Sequence, residues 1–470
     1  MIFHLFYKLL SQIVFAIIIF PTWLVIGLFK PDLLVGIREK MGFYNKGQRE
    51  KEKEEANSKQ QTANSDENTI CHLPFTICFY AVSVGEVAAV ENLIKKTRET
   101  FPQSEIILMT GTKTGQEIAH KKLGETCDFI TYFPLDFPFC VNNMLNKFKP
   151  DAVFVMETEL WPNFANITNK RKIPLYIING RISDRTYAGY KKLRFFFAPI
   201  LKKYTAIFPQ SKQDFEKFIL LGASLSTTKI MGNLKFDIKK PDVSPNSPIL
   251  NFEKPQGQKI ILAGSTHTGE EEIILEVFEE LKKEVSDLKL IIAPRHPEYN
   301  EKIFELMKKT GLDCTKRSES LTYSSLLTPH SSLDLLSYPQ DLILLDTMGE
   351  LSKFYSICDV AFIGGSFPFK GGDNFDGKGV GGHNPLEATI FNKPVVSGFS
   401  IHNFKDIYAI LISTDAGKVV VTKEELKEAL KKLLTDEEYY QKASGDCEKV
   451  FEQNKGALDF VLNVLQSLVS

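Results

Sequence analysis

The sequence alternates short apolar runs with helical patterns over most of its length, in two series. In the first series, the predicted strands are residues 75–82, 105–110, 151–156, 174–178 and 206–209. In the second series, they are residues 260–264, 288–293, 342–346, 360–364 and 394–397. Strands that are separated by helices form parallel sheets, because each helix carries the chain back to the starting edge. The alternation therefore predicts an α/β protein with two doubly wound parallel sheets.

A proline-rich stretch separates the two series. Residues 236–258 contain four prolines and no sustained hydrophobic period, as expected of a linker. The predicted organisation is an N-terminal membrane anchor at 1–45, a charged insertion at 46–69, a first domain at 70–240, a linker at 241–258 and a second domain with C-terminal helices at 259–470. A chain of 470 residues is long enough for two large domains, each with its own core.

The N-terminal region contains an uncharged and almost wholly apolar run, residues 9–29. A helix of that length can cross a hydrocarbon core of about 30 Å, or it can lie along the membrane interface with a bend at Pro21. Lys8 precedes the run and several basic residues follow it, so the positive-inside rule places the remaining chain in the cytoplasm. Residues 46–69 have no aliphatic side chain larger than that of Ala, and we expect them to be disordered.

The charge balance argues against one broad class of function. The chain has 57 Lys and Arg residues against 58 Asp and Glu residues, which gives a net charge of −1. Because nucleic-acid binding depends on excess positive charge, bulk binding to DNA or RNA has no electrostatic support in this sequence.

Polar or glycine-rich segments follow the strands of the second series, at the sheet edge where α/β proteins bind ligands. Residues 263–270 combine small and hydroxyl residues at the start of a helix. The backbone N–H groups of such a segment can bind an anion, although Thr and Glu at these positions also cap a helix. Arg295 follows a strand and can bind a phosphate through two hydrogen bonds, or it can form a surface ion pair instead.

Two further segments begin helices at the same edge. Residues 346–351 place Gly349 near a first helical turn, where free N–H groups favour a phosphate. Asn384 fits an N-cap and Pro385 fits the first helical position, while Glu387 can accept hydrogen bonds from ribose hydroxyls. Glycines between residues 364 and 379 suggest a mobile loop nearby. Four such segments on one sheet predict a nucleotide site.

Acidic residues follow two strands of the first series. Glu86 lies at the start of a helix, where its carboxylate can remove a proton from a hydroxyl group or can simply favour the helix dipole. Glu157 and Glu159 follow another strand, beside one of the two tryptophans. They have no clustered His or third acid to complete a metal pattern, so contact with a transition state or an acceptor is favoured. Lys235, near the end of the domain, either neutralises an anion or lies on the surface.

Basic and aromatic residues interleave between residues 187 and 204, with three consecutive Phe residues at 195–197. Such a segment suits an anionic, lipid-bearing partner at a membrane surface. A core helix with solvated lysines is the alternative interpretation.

Several segments of the chain resemble the 3-deoxy-D-manno-octulosonic acid (Kdo) transferases of lipopolysaccharide synthesis, namely residues 82–86, 157–163, 179–183, 232–237, 294–298, 347–350 and 383–388. The resemblance implies a GT-B fold, in which two Rossmann-like domains face a cleft, with the acceptor on the first domain and the nucleotide on the second. It implies that Kdo is transferred from CMP-Kdo, the donor substrate, onto a lipid A precursor with inversion of the anomeric centre. It further implies that the reaction needs no metal or other cofactor and occurs on the cytoplasmic face of the inner membrane.

The same resemblance implies roles for individual residues. Glu86 is expected to be the catalytic base, with Glu157 and Lys235 as stabilisers of the transition state. The residues expected to bind CMP are Pro294, Arg295, Met348, Gly349, Glu350, Asn384, Pro385, Leu386 and Glu387. No residue is expected to bind a metal.

Two other functions are compatible with the sequence. A sugar-nucleotide epimerase or hydrolase of the same two-domain fold would need no lipid acceptor, which leaves the anchor and residues 187–204 unexplained. A non-catalytic, membrane-tethered binding module would bind nucleotide without turnover, and it would tolerate Gln at position 86.

Overall fold

The computed structural model describes residue 7 and residues 35–44, 75–243, 257–319, 340–367 and 380–469. The chain forms two compact units. The first unit consists of Met1–Ile238 together with Asn454–Ser470, and the second consists of Lys239–Gln453. Each unit contains one parallel β-sheet with helices between its strands, so the prediction of two doubly wound parallel sheets is confirmed.

The sheet of the first unit has six parallel strands in the order β3-β2-β1-β4-β5-β6. The strands are β1 (Thr76–Tyr80), β2 (Glu105–Thr110), β3 (Phe129–Tyr132), β4 (Ala152–Met156), β5 (Leu175–Gly180) and β6 (Ala206–Pro209). Every residue of β1 and β4 is buried, which explains why both read as apolar runs without alternation. The strand order reverses beside β1, because β1 pairs with β2 on one side and with β4 on the other.

Helices connect the strands of the first unit. They are α1 (Ile37–Lys40), α2 (Val84–Thr100), α3 (Lys113–Leu123), α4 (Pro138–Phe148), α5 (Pro162–Lys170), α6 (Asp184–Lys192), α7 (Arg194–Leu201) and α8 (Lys212–Leu221). The hydroxyl groups of Thr112, Ser183 and Ser211 cap three helices, each accepting a hydrogen bond of 3.1 Å from the N–H group three residues later. Pro138 and Pro162 begin two others, at a position where the missing N–H has no partner to lose.

Both faces of this sheet are covered. Alternate residues of β1 enter two separate cores, Ile77 and Phe79 on one face and Cys78 and Tyr80 on the other. Helix α2 packs into the first core through Leu93, and helices α4 and α5 supply the second. A parallel sheet with both faces buried is the arrangement that its uniformly apolar strands require.

The sheet of the second unit has seven parallel strands in the order β13-β12-β11-β7-β8-β10-β9. The strands are β7 (Lys259–Thr266), β8 (Leu288–Pro294), β9 (Cys314–Lys316), β10 (Leu342–Leu344), β11 (Val360–Ile363), β12 (Val395–Gly398) and β13 (Gly417–Val420). Strand β7 pairs with β8 on one side and with β11 on the other, so the order again reverses beside the first strand of the unit.

The helices of the second unit differ widely in length. They are α9 (Glu270–Lys282), α10 (Asn300–Lys309), α11 (Leu351–Phe354), α12 (Leu386–Thr389), α13 (Lys405–Ile412), α14 (Lys423–Thr435) and α15 (Glu437–Asn454). Helices α9 and α14 cover one face of the sheet, where Phe278 and Leu430 are buried in its core. Helices α11 and α12 contain only four residues each. The helices that the sequence predicted at these two positions are therefore single turns.

The last helix, α16 (Ala457–Val469), belongs to the first unit. Its Val461 and Leu465 lie in the same core as Leu93 of α2. The carboxylate of Asp237 accepts hydrogen bonds of 2.7 Å from the N–H groups of both Gly456 and Leu458, and so holds the start of α16. From the sequence, this helix is predicted to belong to the second domain, because its local pattern does not show which core it enters.

Four predicted segments lie mostly or wholly outside the described residues. They are the apolar run 9–29, the charged insertion 46–69, the linker 241–258 and the glycine-rich loop between 364 and 379. Among the residues that are described, no helix is both long enough and apolar enough to cross a membrane. The membrane anchor therefore stays a prediction.

Candidate active site

Glu86 lies in the first turn of α2, directly after the carboxyl end of β1. Its carboxylate accepts a hydrogen bond of 2.8 Å from the N–H group of Val82 and one of 3.1 Å from the hydroxyl of Ser83. These bonds hold the carboxylate at the point where the strand order of the sheet reverses. In open α/β sheets, ligands bind in the crevice at such a reversal.

Glu157 follows β4 directly and has a positive φ of 54°, which turns the chain sharply at the sheet edge. Its N–H group donates a hydrogen bond of 3.0 Å to the carbonyl of Ile178 in β5. Because β1 and β4 are adjacent, Glu157 comes close to Glu86. Burial, with the negative charge of Glu157, raises the pKa of Glu86 to about 7, although the two hydrogen bonds to Glu86 oppose the shift. The structure thus brings together two of the predicted site residues.

Glu159 is a third carboxylate of this cluster. Burial raises the pKa of Glu159 to about 7, with a further contribution from Glu157, while a hydrogen bond with Trp161 opposes the shift. The backbone carbonyl of Glu159 accepts a hydrogen bond of 3.0 Å from the hydroxyl of the buried Tyr204. From the sequence, Glu159 is expected, like Glu157, to contact a transition state or an acceptor, but the spacing alone does not show which carboxylate is buried.

Aromatic rings lie beside the carboxylates. The ring of Tyr80 stacks on that of Phe133, with 3.8 Å between their centroids, and Phe133 lies 6.2 Å from Trp161. The side chain of Trp161 is 36% exposed, so one end of this aromatic row reaches solvent. The site therefore combines proton-accepting groups with an accessible apolar surface.

Lys235 lies in a short 3-10 helix, Leu234–Phe236, which is attached to the same edge of the sheet. The side-chain oxygen of Asn179, near the end of β5, accepts a hydrogen bond of 3.0 Å from the N–H group of Leu234. Asn233 accepts another of 3.0 Å from the N–H group of Lys235. Lys235 is half-buried and lies at the carboxyl edge of the sheet that also carries Glu86 and Glu157.

In the second unit, the buried carboxylate of Glu270 organises the loops that follow β7 and β11. It accepts hydrogen bonds from four backbone N–H groups, those of His267, Gly365, Ser366 and Phe367, at distances of 2.7 to 2.9 Å. From the sequence, residues 263–270 are expected either to bind an anion or to cap the helix. The N–H group of His267 donates to Glu270, as the capping interpretation requires.

Two histidines meet above this carboxylate. The Nε2 atoms of His267 and His383 are 2.8 Å apart, and the two rings are nearly parallel, with an interplanar angle of 9°. Burial, together with the nearby charges of Arg295 and His296, lowers the pKa of both histidines to about 4, and His267 contributes to the shift of His383. No local sequence pattern predicts this pair, because its members are separated by 116 positions.

Pro294 is the last residue of β8, next to β7, and Arg295 follows it. The N–H group of Arg295 donates a hydrogen bond of 2.9 Å to the carbonyl of Thr266 in β7, and its side chain is exposed. Its guanidinium group is close enough to His267 and His383 to influence both rings. Arg295 is therefore available for an anion at the strand-order reversal of the second sheet.

The segment 348–350 is arranged differently from the prediction. Met348 is 80% exposed and Gly349 has a φ of +81°, but the carboxylate of Glu350 is buried. Glu350 forms a buried ion pair with Arg317, with N–O distances of 3.3 and 3.4 Å, and also accepts a hydrogen bond from Thr347. The side chain of Glu350 is thus occupied by protein partners, and the N–H groups at 348–350 precede only a single helical turn.

The segment 384–387 begins α12. The side-chain oxygen of Asn384 accepts a hydrogen bond of 3.1 Å from the N–H group of Leu386, but Pro385 is the N-cap of this turn, one residue later than predicted. Pro385 and Leu386 are buried, and Glu387 is half-buried near Tyr355, where its charge contributes to the raised pKa of that phenol. Residues from 294–295 and 384–387 therefore lie in loops at the carboxyl edge of one sheet.

Across the described ranges of the chain, no group of three or more His, Cys, Asp or Glu side chains is arranged to hold a metal ion.

Comparison with known proteins identifies the family of this chain. Residues 36–238 match the family model described as 3-deoxy-D-manno-octulosonic-acid transferase (kdotransferase). A 3-deoxy-D-manno-octulosonic acid transferase from Haemophilus influenzae is 32% identical over 401 residues, which cover 85% of this chain and 88% of that protein. A bifunctional glycosyltransferase/methyltransferase from Fusobacterium nucleatum is 35% identical over 81% of this chain.

The coverage of these relatives differs. The chain spans only 55% of the length of the bifunctional Fusobacterium protein. Among solved structures, the C-terminal CMP-Kdo binding domain of WaaA from Acinetobacter baumannii is 28% identical over 42% of this chain and 90% of that domain, with a TM-score of 0.34. The assignment rests on the sequence matches, above all on the relative that is covered almost end to end, and we conclude that the chain belongs to the 3-deoxy-D-manno-octulosonic acid transferase family.

Proposed function

We propose that the protein transfers Kdo from CMP-Kdo onto a lipid A precursor, releases CMP and inverts the anomeric centre. Family membership supports Kdo transfer as the reaction, and the arrangement of ionisable groups supports this particular mechanism. The proposal assigns the lipid acceptor to the first unit and the nucleotide to the second. It uses no metal ion and no other cofactor.

Glu86 is the observation that carries the proposal. A general base works best when its pKa lies near the operating pH, and burial beside Glu157 raises the pKa of Glu86 to about 7. In the proposed step, Glu86 takes the proton of an acceptor hydroxyl, and the oxygen attacks C2 of Kdo as the bond to the nucleotide phosphate breaks. We propose that Glu157 and Lys235, at the same sheet edge, stabilise the charges that develop in this transition state.

The nucleotide is proposed to bind at the carboxyl edge of the second sheet. Arg295 supplies an exposed guanidinium group, which suits a phosphate. The N–H groups around Gly349 and the loop at 384–387 supply further polar contacts. In this proposal, Glu350 acts by holding its segment through Arg317, since its carboxylate already has that buried partner.

The lipid acceptor is proposed to reach the first unit from the membrane surface. No residue of helix α6 is buried, and the consecutive residues 191–195 are all exposed and combine three basic side chains with two apolar ones. Phe195 alone is 60% exposed. Such a surface suits an anionic lipid interface on the cytoplasmic side of the inner membrane.

A simple assay tests the reaction class. Purified full-length protein is incubated with CMP-Kdo, with and without a lipid A precursor, and CMP release is measured. We expect CMP release that depends on the acceptor. Equal release without acceptor would indicate a hydrolase, and isomerised sugar nucleotide would indicate an epimerase; either result overturns the proposal.

A further inference from the structure

The His267–His383 pair is a site to which the proposed mechanism gives no role. Its two Nε2 atoms are 2.8 Å apart, so one neutral ring donates a hydrogen bond and the other accepts it. In the donating ring, the Nδ1 atom then carries a free lone pair. A proton added at that Nδ1 atom leaves the hydrogen bond between the two Nε2 atoms in place, so the pair can take up one proton without losing its internal bond.

The pair is held by a rigid frame. His267 follows β7 and the backbone around His383 is hydrogen-bonded to Gly364 at the end of β11, so the rings meet where the order of the second sheet reverses. A Cβ atom on Gly365 would lie 3.0 Å from the His383 ring, which shows how closely that ring packs on the backbone. Glu270 fixes the two loops through its four N–H donors.

The charges that face the pair determine when it is protonated. Arg295 and His296, both after β8, face it from one side, and the carboxylate of Glu270 below it is already satisfied by backbone N–H groups. Burial together with Arg295 and His296 keeps the free pair neutral near pH 7. A doubly negative phosphate beside Arg295 would reverse this balance, because an opposite charge favours the protonated ring.

We propose that His267 and His383 together form the proton donor of the nucleotide phosphate site. The histidine pair takes up one proton as the phosphate becomes doubly negative. This inference rests on the proposed function. When the C2–O bond of the donor breaks, its electron pair stays on the phosphate oxygen. The histidine pair takes one proton from water and shares it with that oxygen through a hydrogen bond. The acceptor oxygen forms the new bond to C2 and its proton passes to Glu86. Exchange with water then restores both groups.

Proton uptake on binding of CMP tests the proposal without any need for turnover. The full-length protein is titrated with CMP by calorimetry at pH 6.5, in two buffers with different ionisation enthalpies. The difference in heat gives the number of protons taken up. We expect His267→Gln and His383→Gln each to lower this number, by up to about one proton. The contribution of the CMP phosphate itself is common to all variants.

A matched control removes a histidine elsewhere. His120 is exposed on helix α3 of the first unit, so His120→Gln should take up as many protons as the unmodified protein. Circular dichroism checks the folding of each variant, and His267→Asn and His383→Asn provide a second set if a Gln variant is unfolded. CMP binding with equal proton uptake in all variants overturns the proposal but leaves the proposed function intact. If the unmodified protein does not bind CMP, the proposed function itself is contradicted, and the role of the pair is lost with it.

Discussion

The carboxylates of Glu86 and Glu157 lie at the carboxyl ends of adjacent strands, and the charge of Glu157 adds to the effect of burial in raising the pKa of Glu86 to about 7. The pair arises from topology, because β1 and β4 become neighbours only where the strand order reverses. A carboxylate with this pKa is ionised often enough near neutral pH to accept a proton and basic enough to hold it. The geometry therefore predicts a base whose ionisation should determine how the transfer rate depends on pH.

The first prediction concerns the pH dependence of transfer. Because Glu86 must be ionised to act as a base, the rate should rise with pH through a midpoint near 7. Glu157→Gln removes the neighbouring negative charge and should move the midpoint to lower pH, whatever it does to the maximal rate. Initial rates measured from pH 5 to 9 give both midpoints. An unchanged midpoint in Glu157→Gln would contradict the coupling between the two carboxylates.

The second prediction concerns stability. The pKa of Glu86 is higher in the folded protein than its usual value of 4.5, so the folded state binds this proton more tightly than the unfolded state does. The stabilising effect is complete below pH 4.5 and is lost as the pH rises towards 7. Relative to the unmodified protein, Glu86→Gln should therefore gain stability between pH 4 and 8, by up to about 3 kcal/mol in the free energy of unfolding.

Glu91, on the same helix, provides the matched control. Partial burial opposes ionisation of Glu91, but hydrogen bonds of 2.6 Å to Lys122 and 2.7 Å to Lys95 outweigh it and lower its pKa. Its contribution has the opposite sign, because it is present above pH 4.5 and is lost as the pH falls. Urea unfolding of both variants at pH 4, 6 and 8 measures the two trends. If the free energies of unfolding of Glu86→Gln and Glu91→Gln, relative to the unmodified protein, changed with pH in the same direction, the raised pKa of Glu86 would be ruled out as the cause.

The third prediction concerns the buried ion pair of Arg317 and Glu350. Both residues are buried, with 3% of Arg317 and 8% of Glu350 exposed, so Arg317→Met leaves a buried carboxylate without its charged partner. Removal of one partner of a buried pair typically costs about 3–5 kcal/mol of folding free energy. The double variant Arg317→Met/Glu350→Leu should recover much of the loss, because no charge is then buried. Denaturant unfolding checks both variants, and a loss below about 1 kcal/mol in Arg317→Met would contradict a stabilising role for the pair.

The fourth prediction concerns the exposed basic and aromatic surface at residues 191–195. Phe195→Ser removes the most exposed ring of this surface and should weaken binding to vesicles that contain anionic lipid. Leu225→Ser is the matched control, since Leu225 is 69% exposed but lies outside this surface. Vesicle co-sedimentation measures both variants. Equal binding by the two variants would show that this surface does not contact the membrane.

The sequence predicted the central strands of both sheets well, because those strands are buried on both faces and read as continuous apolar runs. The predicted strand at 105–110 coincides with the inner strand β2, and the one at 206–209 coincides with β6, an edge strand that is also mostly buried. The sequence did not predict three strands, β3, β9 and β13. Each of them lies at an edge of its sheet. They are three or four residues long and partly exposed, so their apolar pattern is too short and too irregular to recognise.

The site was predictable only where one residue marks the end of a strand. Glu157 and Arg295 follow strands directly and Glu86 lies in the first turn of the helix after β1, so their positions along the sequence were enough to place them at the edges of the sheets. The His267–His383 pair and the Arg317–Glu350 pair each join residues from distant loops. Their formation depends on tertiary packing, which no local pattern records. For the same reason, the burial that raises the pKa of Glu159 became apparent only in the fold.

The most direct test of the account is the mass of the lipid that is made from CMP-Kdo and a lipid A precursor by the unmodified protein and by Glu86→Gln. We predict a product heavier by one or more Kdo residues for the unmodified protein, with one CMP released for each. For Glu86→Gln, we predict transfer slower by about 10²–10⁴-fold, because the positioned base is lost while CMP binding is kept. Transfer by Glu86→Gln at nearly the unmodified rate, or no heavier lipid from the unmodified protein, would contradict the account.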